Sequence, residues 1–145
     1  MEILKVDTEL RKLGDFGERA AARALRKDGY KILERNYIAD GAEIDIIAKK
    51  GGVTAFVEVK TRSVTEGGAP RIEPRPASAV TPKKQRAIIG AAREYLAFHG
   101  VDTRVRFDVV EVYAEGKCPR WRTSEIKHIV GAFDRSSASK RPWER

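Results

Sequence analysis

Residues 43–62 read EIDIIAKKGGVTAFVEVKTR, two apolar runs joined by Gly51-Gly52. No other stretch constrains the chain as tightly. A Gly-Gly pair between alternating, β-branched segments marks a two-residue hairpin, because both loop positions need a positive φ that glycine adopts at little cost. Such a turn also sets the register. With Lys50 facing Val53, counting outward puts Asp45 across from Glu58 and Glu43 across from Lys60. Side chains alternate along a strand, so Glu58 and Lys60 share a face with Phe56, while Val57 and Val59 take the other. A strand suited to the interior thus carries a carboxylate and an ammonium on one face, and its neighbour brings a second carboxylate to meet them.

Directly paired side chains have Cβ atoms about 4.5–5.5 Å apart, so two ionised carboxylates there repel unless a cation lies between them. A divalent ion answers that need. Magnesium takes oxygen ligands at about 2.0–2.1 Å and typically uses one or two protein carboxylates beside phosphate oxygens. The Lys60 ammonium could then hold an attacking water or offset charge at phosphorus. The combination points to metal-assisted phosphodiester hydrolysis. The plainer alternative is a pair of ordinary ion pairs at a sheet edge, each worth at most about 1 kcal/mol.

Around this hairpin the elements read in order. DFGERAAARALRKD (15–28) predicts a helix with Asp15 as N-cap and Gly29 as stop. KILERNYI (31–38), EIDIIAKK (43–50) and VTAFVEVKTR (53–62) predict strands. Residues 63–81 hold Gly67, Gly68, Pro70, Pro74 and Pro76 and read as a long loop. Thr81 then caps a second helix with Pro82 at its first position, buried along Ile88, Ala91, Ala92, Tyr95 and Leu96. RVRFDVVEVY (104–113) predicts a strand, and 121–133 a short strand followed by a short helix. One domain over 1–133 and a basic tail over 134–145 are expected. A helical crossover between strands requires a mixed sheet with helices on its faces.

Charge narrows the partners. The 29 Lys and Arg outnumber 21 Asp and Glu for a net charge of +8, which favours nucleic acid or another polyanion. The single cysteine, Cys118, allows no internal disulfide and suits a reducing cytoplasm. No run approaches the roughly 18 apolar residues of a membrane span, so no membrane is expected. Arg62, Arg71 and Arg75 in or near the long loop, with Lys83, Lys84, Gln85 and Arg86 at the start of the second helix, form the candidate phosphate-contact patch. A solvated loop and helix start is the plain reading of the same residues, and for Gln85 the one favoured. Trp121 and Trp143 are candidates for stacking on bases, with Trp121 also a candidate core residue.

Asp45 followed by Glu58-Val59-Lys60 resembles the D…(D/E)xK signature of the PD-(D/E)XK nuclease-like superfamily. More narrowly, GDFGERAA (14–21), GYKILERNY (29–37), GAEIDIIA (41–48), FVEVKTR (56–62), KKQRAIIGAAREYL (83–96) and RFDVVEV (106–112) resemble the YraN-like family of bacterial proteins. The resemblance implies an α/β restriction-endonuclease-like fold, a central mixed sheet flanked by helices with an αβββαβ core. It implies a nuclease dependent on Mg2+ or Mn2+, with Asp45, Glu58 and Glu18 on the metal and Lys60 beside them. Glu18 matches a helix carboxylate of related junction-cleaving enzymes, but Asp15-x-x-Glu18 also fits a capping box. The superfamily's proline is replaced by Ile44, and its Gln-xxx-Tyr element is not matched, Gln85 being followed by Ile89. The expected partner is DNA rather than RNA, with structured or branched DNA suggested by analogy and a second copy in a homodimer left as an option. Two further readings stand beside the nuclease: a non-catalytic nucleic-acid-binding module, and an interaction protein that pairs through a sheet edge.

Overall fold

The computed structural model describes residues 2–64, 80–99 and 103–135. Seven elements follow in order: α1 (Glu2–Lys27), β1 (Lys31–Ala39), β2 (Ala42–Lys50), β3 (Val53–Val64), α2 (Pro82–His99), β4 (Arg104–Glu115) and β5 (Arg122–Phe133). The strands form one sheet in the order β1-β2-β3-β4-β5. β3 and β4 are parallel, and the other neighbours are antiparallel. Local turns make the antiparallel steps, and the parallel one needs the crossover that carries α2.

The Gly51-Gly52 turn forms as expected, with φ of 54° and 76°, and Lys50 pairs with Val53. β3 and β4 lie in the middle of the sheet and are covered on both sides. Ala20, Ala21, Ala22 and Leu25 of α1 pack with Ile46, Ala48, Ala55, Val57, Val110 and Val112. On the other face Ile88, Ile89, Ala91, Ala92 and Tyr95 of α2 pack with Ile44, Ile47, Phe56, Phe107 and Val109. The small residues of α1 allow a close approach. A Cβ at Gly17 would overlap the Thr61 side chain, so only glycine lets the helix lie this near β3. Among the described residues, no helix is long and apolar enough to cross a membrane.

Both helix signals at the connections hold. Gly29 has φ of 94°, and the Tyr30 N–H donates to Leu25 O at 2.9 Å, closing α1 with a glycine-dependent cap. At the start of α2 the Lys84 N–H donates to Thr81 Oγ1 at 3.2 Å.

Three expectations need correction. α1 begins at Glu2 rather than at residue 15, so Asp15 is a mid-helix residue and not an N-cap. The glycines at 14 and 17 do not end the helix, because each costs only about 1 kcal/mol and the buried stripe beyond them offsets it. Residues 122–133 form one long strand without a helix, since the open edge of β4 offers the backbone a ladder along its length, interrupted at two register shifts. The core is therefore αβββαββ. The α2 stripe also buries Gln85 and Ile89, and Leu96 is only partly covered. Arg71, Arg75 and the tail from residue 136, with Trp143, lie outside the described residues.

Candidate functional site

β2 and β3 keep the register set by their turn as far as Ile46↔Val57. The next pair in this register would be Asp45–Glu58, and the next to exchange backbone hydrogen bonds Ile44–Val59. Instead the Val59 N–H donates to Asp45 Oδ2 at 2.7 Å. A carboxylate has replaced a backbone carbonyl as the acceptor, and the strands separate around it. The alternation of faces slips at the same point: Ile44 and Ile47 pack beneath α2, while Ile46 packs beneath α1. The direct cross-strand pairs Asp45–Glu58 and Glu43–Lys60 are therefore absent from the ladder, and the acidic groups meet in a gap instead.

Three carboxylates converge there. Glu18 from α1, with Glu43 and Asp45 from β2, each place an oxygen within 4.8 Å of the others. Asn36 on β1 links two of them. Its backbone is left-handed, with φ of 53°, and its amide nitrogen, in the orientation that satisfies both groups, donates to Glu43 Oε1 at 2.9 Å and Glu18 Oε1 at 2.5 Å. Because α1 runs through Asp15, Glu18 has no helix end to cap, and its carboxylate belongs to this cluster.

Glu58 is held differently. It is 5% exposed, and its Oε1 lies 2.6 Å from Lys84 Nζ. Lys84, grouped in the sequence with the phosphate-contact residues, thus reaches from the first turn of α2 to the centre of the site. Lys60 is partly buried on β3, aligned with the buried Glu111 of β4.

Burial is the largest influence on the charges here, and neighbouring charges come second. Burial, then the charge of Glu58, pushes the Asp45 carboxyl up to about 7, against the stabilising Val59 N–H. Burial also raises Glu18, with Arg35 opposing and Glu43, Asp15 and Glu58 adding to the rise. Burial lowers Lys60, partly offset by Glu58. Burial works against the charge of Lys84, but the hydrogen bond and charge of Glu58 outweigh it and hold its ammonium above the usual range.

The remaining expected contact residues fall in several environments. Gln85 is buried, not solvated, and donates its amide to Val80 O at 2.7 Å. Lys83 and Arg86 are on the first turns of α2, at its solvent-facing side. Arg62 is partly buried at the end of β3, and its Nε has no hydrogen-bond partner among the described residues.

Glu43 and Asn36 were not expected in the cluster. The Glu43-x-Asp45 spacing on one strand was the available signal for the first. Nothing local marks Asn36, whose role depends on β1 lying beside β2. His99 Nδ1 meets the Tyr95 carbonyl at 2.9 Å near the end of α2. His128 instead joins a buried network: its Nε2, Arg106 and the Gly131 N–H all bond the fully buried Asp108.

A mixed five-stranded sheet, a helix on each face and acidic and basic side chains around a splayed central strand pair define an α/β protein of restriction-endonuclease-like fold. The chain belongs to the uncharacterised protein family UPF0102, whose family model matches residues 17–112 and so spans Glu18, Glu43, Asp45, Glu58, Lys60 and Lys84. It is 47% identical over 125 residues to a UPF0102 protein of Chlorobaculum parvum, covering 83% of this chain and 91% of the relative. It is 48% identical over 123 residues to one of Chlorobium phaeobacteroides, covering 83% and 92%. With one of Desulforapulum autotrophicum the identity is 44% over 129 residues, covering 88% and 98%. These names designate the family and not an activity.

Proposed function

We propose that this protein is a nuclease that hydrolyses DNA phosphodiester bonds with a bound Mg2+ or Mn2+. One observation carries the reading: Glu18, Glu43 and Asp45 bring oxygens within 4.8 Å of one another, beside Glu58 and Lys60. The donor set fits a hard divalent ion. All three ligands are carboxylates, and burial, with the charge of Glu58 added, keeps Asp45 partly protonated near neutral pH in the bare protein. A divalent ion there would lower the pKa of a coordinated water and offset charge on the scissile phosphate.

The chain's own residues supply the rest. Asp45, Glu18 and Glu43 hold the ion, and Asn36 keeps two of those carboxylates in place. Lys60, lowered by burial, can pass a proton or donate to a phosphate oxygen. Glu58 faces the site as a lysine-paired carboxylate, available to a cation once Lys84 turns toward phosphate. Lys83 and Arg86, with Arg62 at the end of β3, contact the backbone, which positions DNA without reading sequence.

A second reading has its own support. Glu58 is paired with Lys84 at 2.6 Å and is not one of the three clustered carboxylates, as in a module that binds nucleic acid without cutting it. The test is incubation of wild type, Asp45→Asn and Lys60→Ala with linear, single-stranded, flapped and four-way DNA in Mg2+, Mn2+ or chelator. Wild type should cut at least one form only with metal, and neither variant should cut. Equal cleavage by all three proteins would sink the site. Salt-sensitive binding with no cleavage of any form would establish the second reading.

A further inference from the structure

A cavity lies between α1, the end of β3 and the β4–β5 connection. It has a volume of about 410 Å³ and is lined by Glu9, Leu10 and Leu13 of α1, Ser63 of β3, and Lys117 and Trp121 of the β4–β5 connection. From these residues we infer that the cleft receives one unpaired nucleobase of a DNA strand bound at the carboxylate cluster, stacked on Trp121. The inference rests on the nucleic-acid reading above and deepens it, because it names the local structure of the substrate.

Position comes first. Leu13 precedes Glu18 by five helical residues, and Ser63 follows Lys60 by three strand residues. At about 1.5 Å and 3.3 Å per residue these steps put the backbone of its walls about 7–10 Å along α1 and β3 from Glu18 and Lys60. That is the span of a nucleotide or two. Composition comes second. Leu10 is 60% exposed, and the half-buried indole of Trp121 is braced by Phe16, the ring centroids 5.9 Å apart. An aromatic plane with aliphatic walls suits the flat face of a base, whatever its identity. Glu9 and Ser63 add acceptors for base-edge N–H groups.

Charge comes third. Lys117 lines the opening, and Arg120 and Arg122, on either side of Trp121, are exposed. Arg122 is paired with Glu115 at 3.3 Å, and Lys117 with Arg120 outweighs Glu9 and leaves the rim cationic. A cationic rim around an apolar, aromatic floor is the arrangement a single strand needs, with phosphates outside and a base within. A base paired and stacked in a duplex cannot enter. The cleft therefore selects DNA with an unpaired nucleotide beside the cleaved bond.

Tryptophan fluorescence tests this without cleavage. The chain has two tryptophans, so Trp143→Phe leaves Trp121 as the only one. This protein is titrated in chelator with fluorescein-labelled hexathymidine and with a blunt duplex, following anisotropy and indole emission together. Hexathymidine should quench Trp121 and the duplex should not. In a second protein, Trp121→Leu, affinity for hexathymidine should fall about 5- to 100-fold while duplex binding is unchanged. Hexathymidine binding by anisotropy with no change in emission overturns the cleft and leaves the nuclease reading standing. Binding of neither DNA overturns both. Equal quenching by the duplex also overturns the selection for unpaired bases.

Discussion

Replacing Asp45 by asparagine should make the metal-free protein more stable, and more so as pH rises. The amide oxygen of an asparagine can still accept from the Val59 N–H, so the strand geometry survives. What disappears is a charge that the site resists. The Asp45 carboxyl sits near 7 in the folded chain against 3.8 as a free side chain. As pH rises from about 4 the unfolded chain releases this proton first, while the folded chain holds it until about 7. Folding stability from this group is thus full below 3.8, falls as pH climbs, and levels off above about 7. The gap corresponds to about 4 kcal/mol, and because Glu58 and Glu18 share the repulsion a net gain on the order of 3 kcal/mol is expected for the variant. For a domain of this size that is about 10 °C in Tm. Thermal unfolding of both proteins, followed by circular dichroism in chelator from pH 4.5 to 8.5, measures it. The variant should be the more stable at pH 8, the difference should shrink toward pH 4.5, and saturating Mn2+ should raise the Tm of wild type alone. A variant no more stable than wild type at pH 8, or a difference independent of pH, would refute the reasoning.

Lys84→Met removes the partner of the buried Glu58 carboxylate; since Lys84 is itself half-exposed, a loss of only about 1–2 kcal/mol is expected in urea unfolding, recovered when Mn2+ is added. Asp108 is the opposite case from Asp45. Burial alone would raise it, but hydrogen bonds from His128, Arg106 and the Gly131 N–H bring it down to about 2. Its contribution, about 2 kcal/mol, is present above 3.8 and lost as pH falls toward 2, so Asp108→Asn should be less stable than wild type at neutral pH and flatten that part of the acid denaturation curve. Gly17→Ala should cost about 1–3 kcal/mol by forcing α1 away from Thr61, and Gly17→Ala/Thr61→Gly should recover part of it in the same unfolding assay.

What was legible in the sequence is what short-range chemistry dictates. Gly51-Gly52 needed only its own backbone preference and its alternating flanks. Thr81-Pro82 and Gly29 likewise act within a turn of their positions. That Asp45, Glu58 and Lys60 lie near one another was legible because the hairpin joins them over few residues. The departures all depend on distant partners. α1 persists past Gly14 and Gly17 because β3 waits at Thr61. β5 is a strand because β4 offers an edge. Asn36 enters the site only once β1 lies against β2, and the break in the ladder at Asp45 contradicts the alternation that otherwise served well.

That break has a consequence for how sequence variation at this position should be interpreted. Residue 45 does two jobs: it fastens the backbone of the neighbouring strand and it offers charge. Aspartate and asparagine can both do the first, since either presents an oxygen at the same reach to Val59. Asparagine would do so without the electrostatic burden. For architecture alone the amide would be the more stable choice, so an aspartate at this position is carried at a standing cost to the fold.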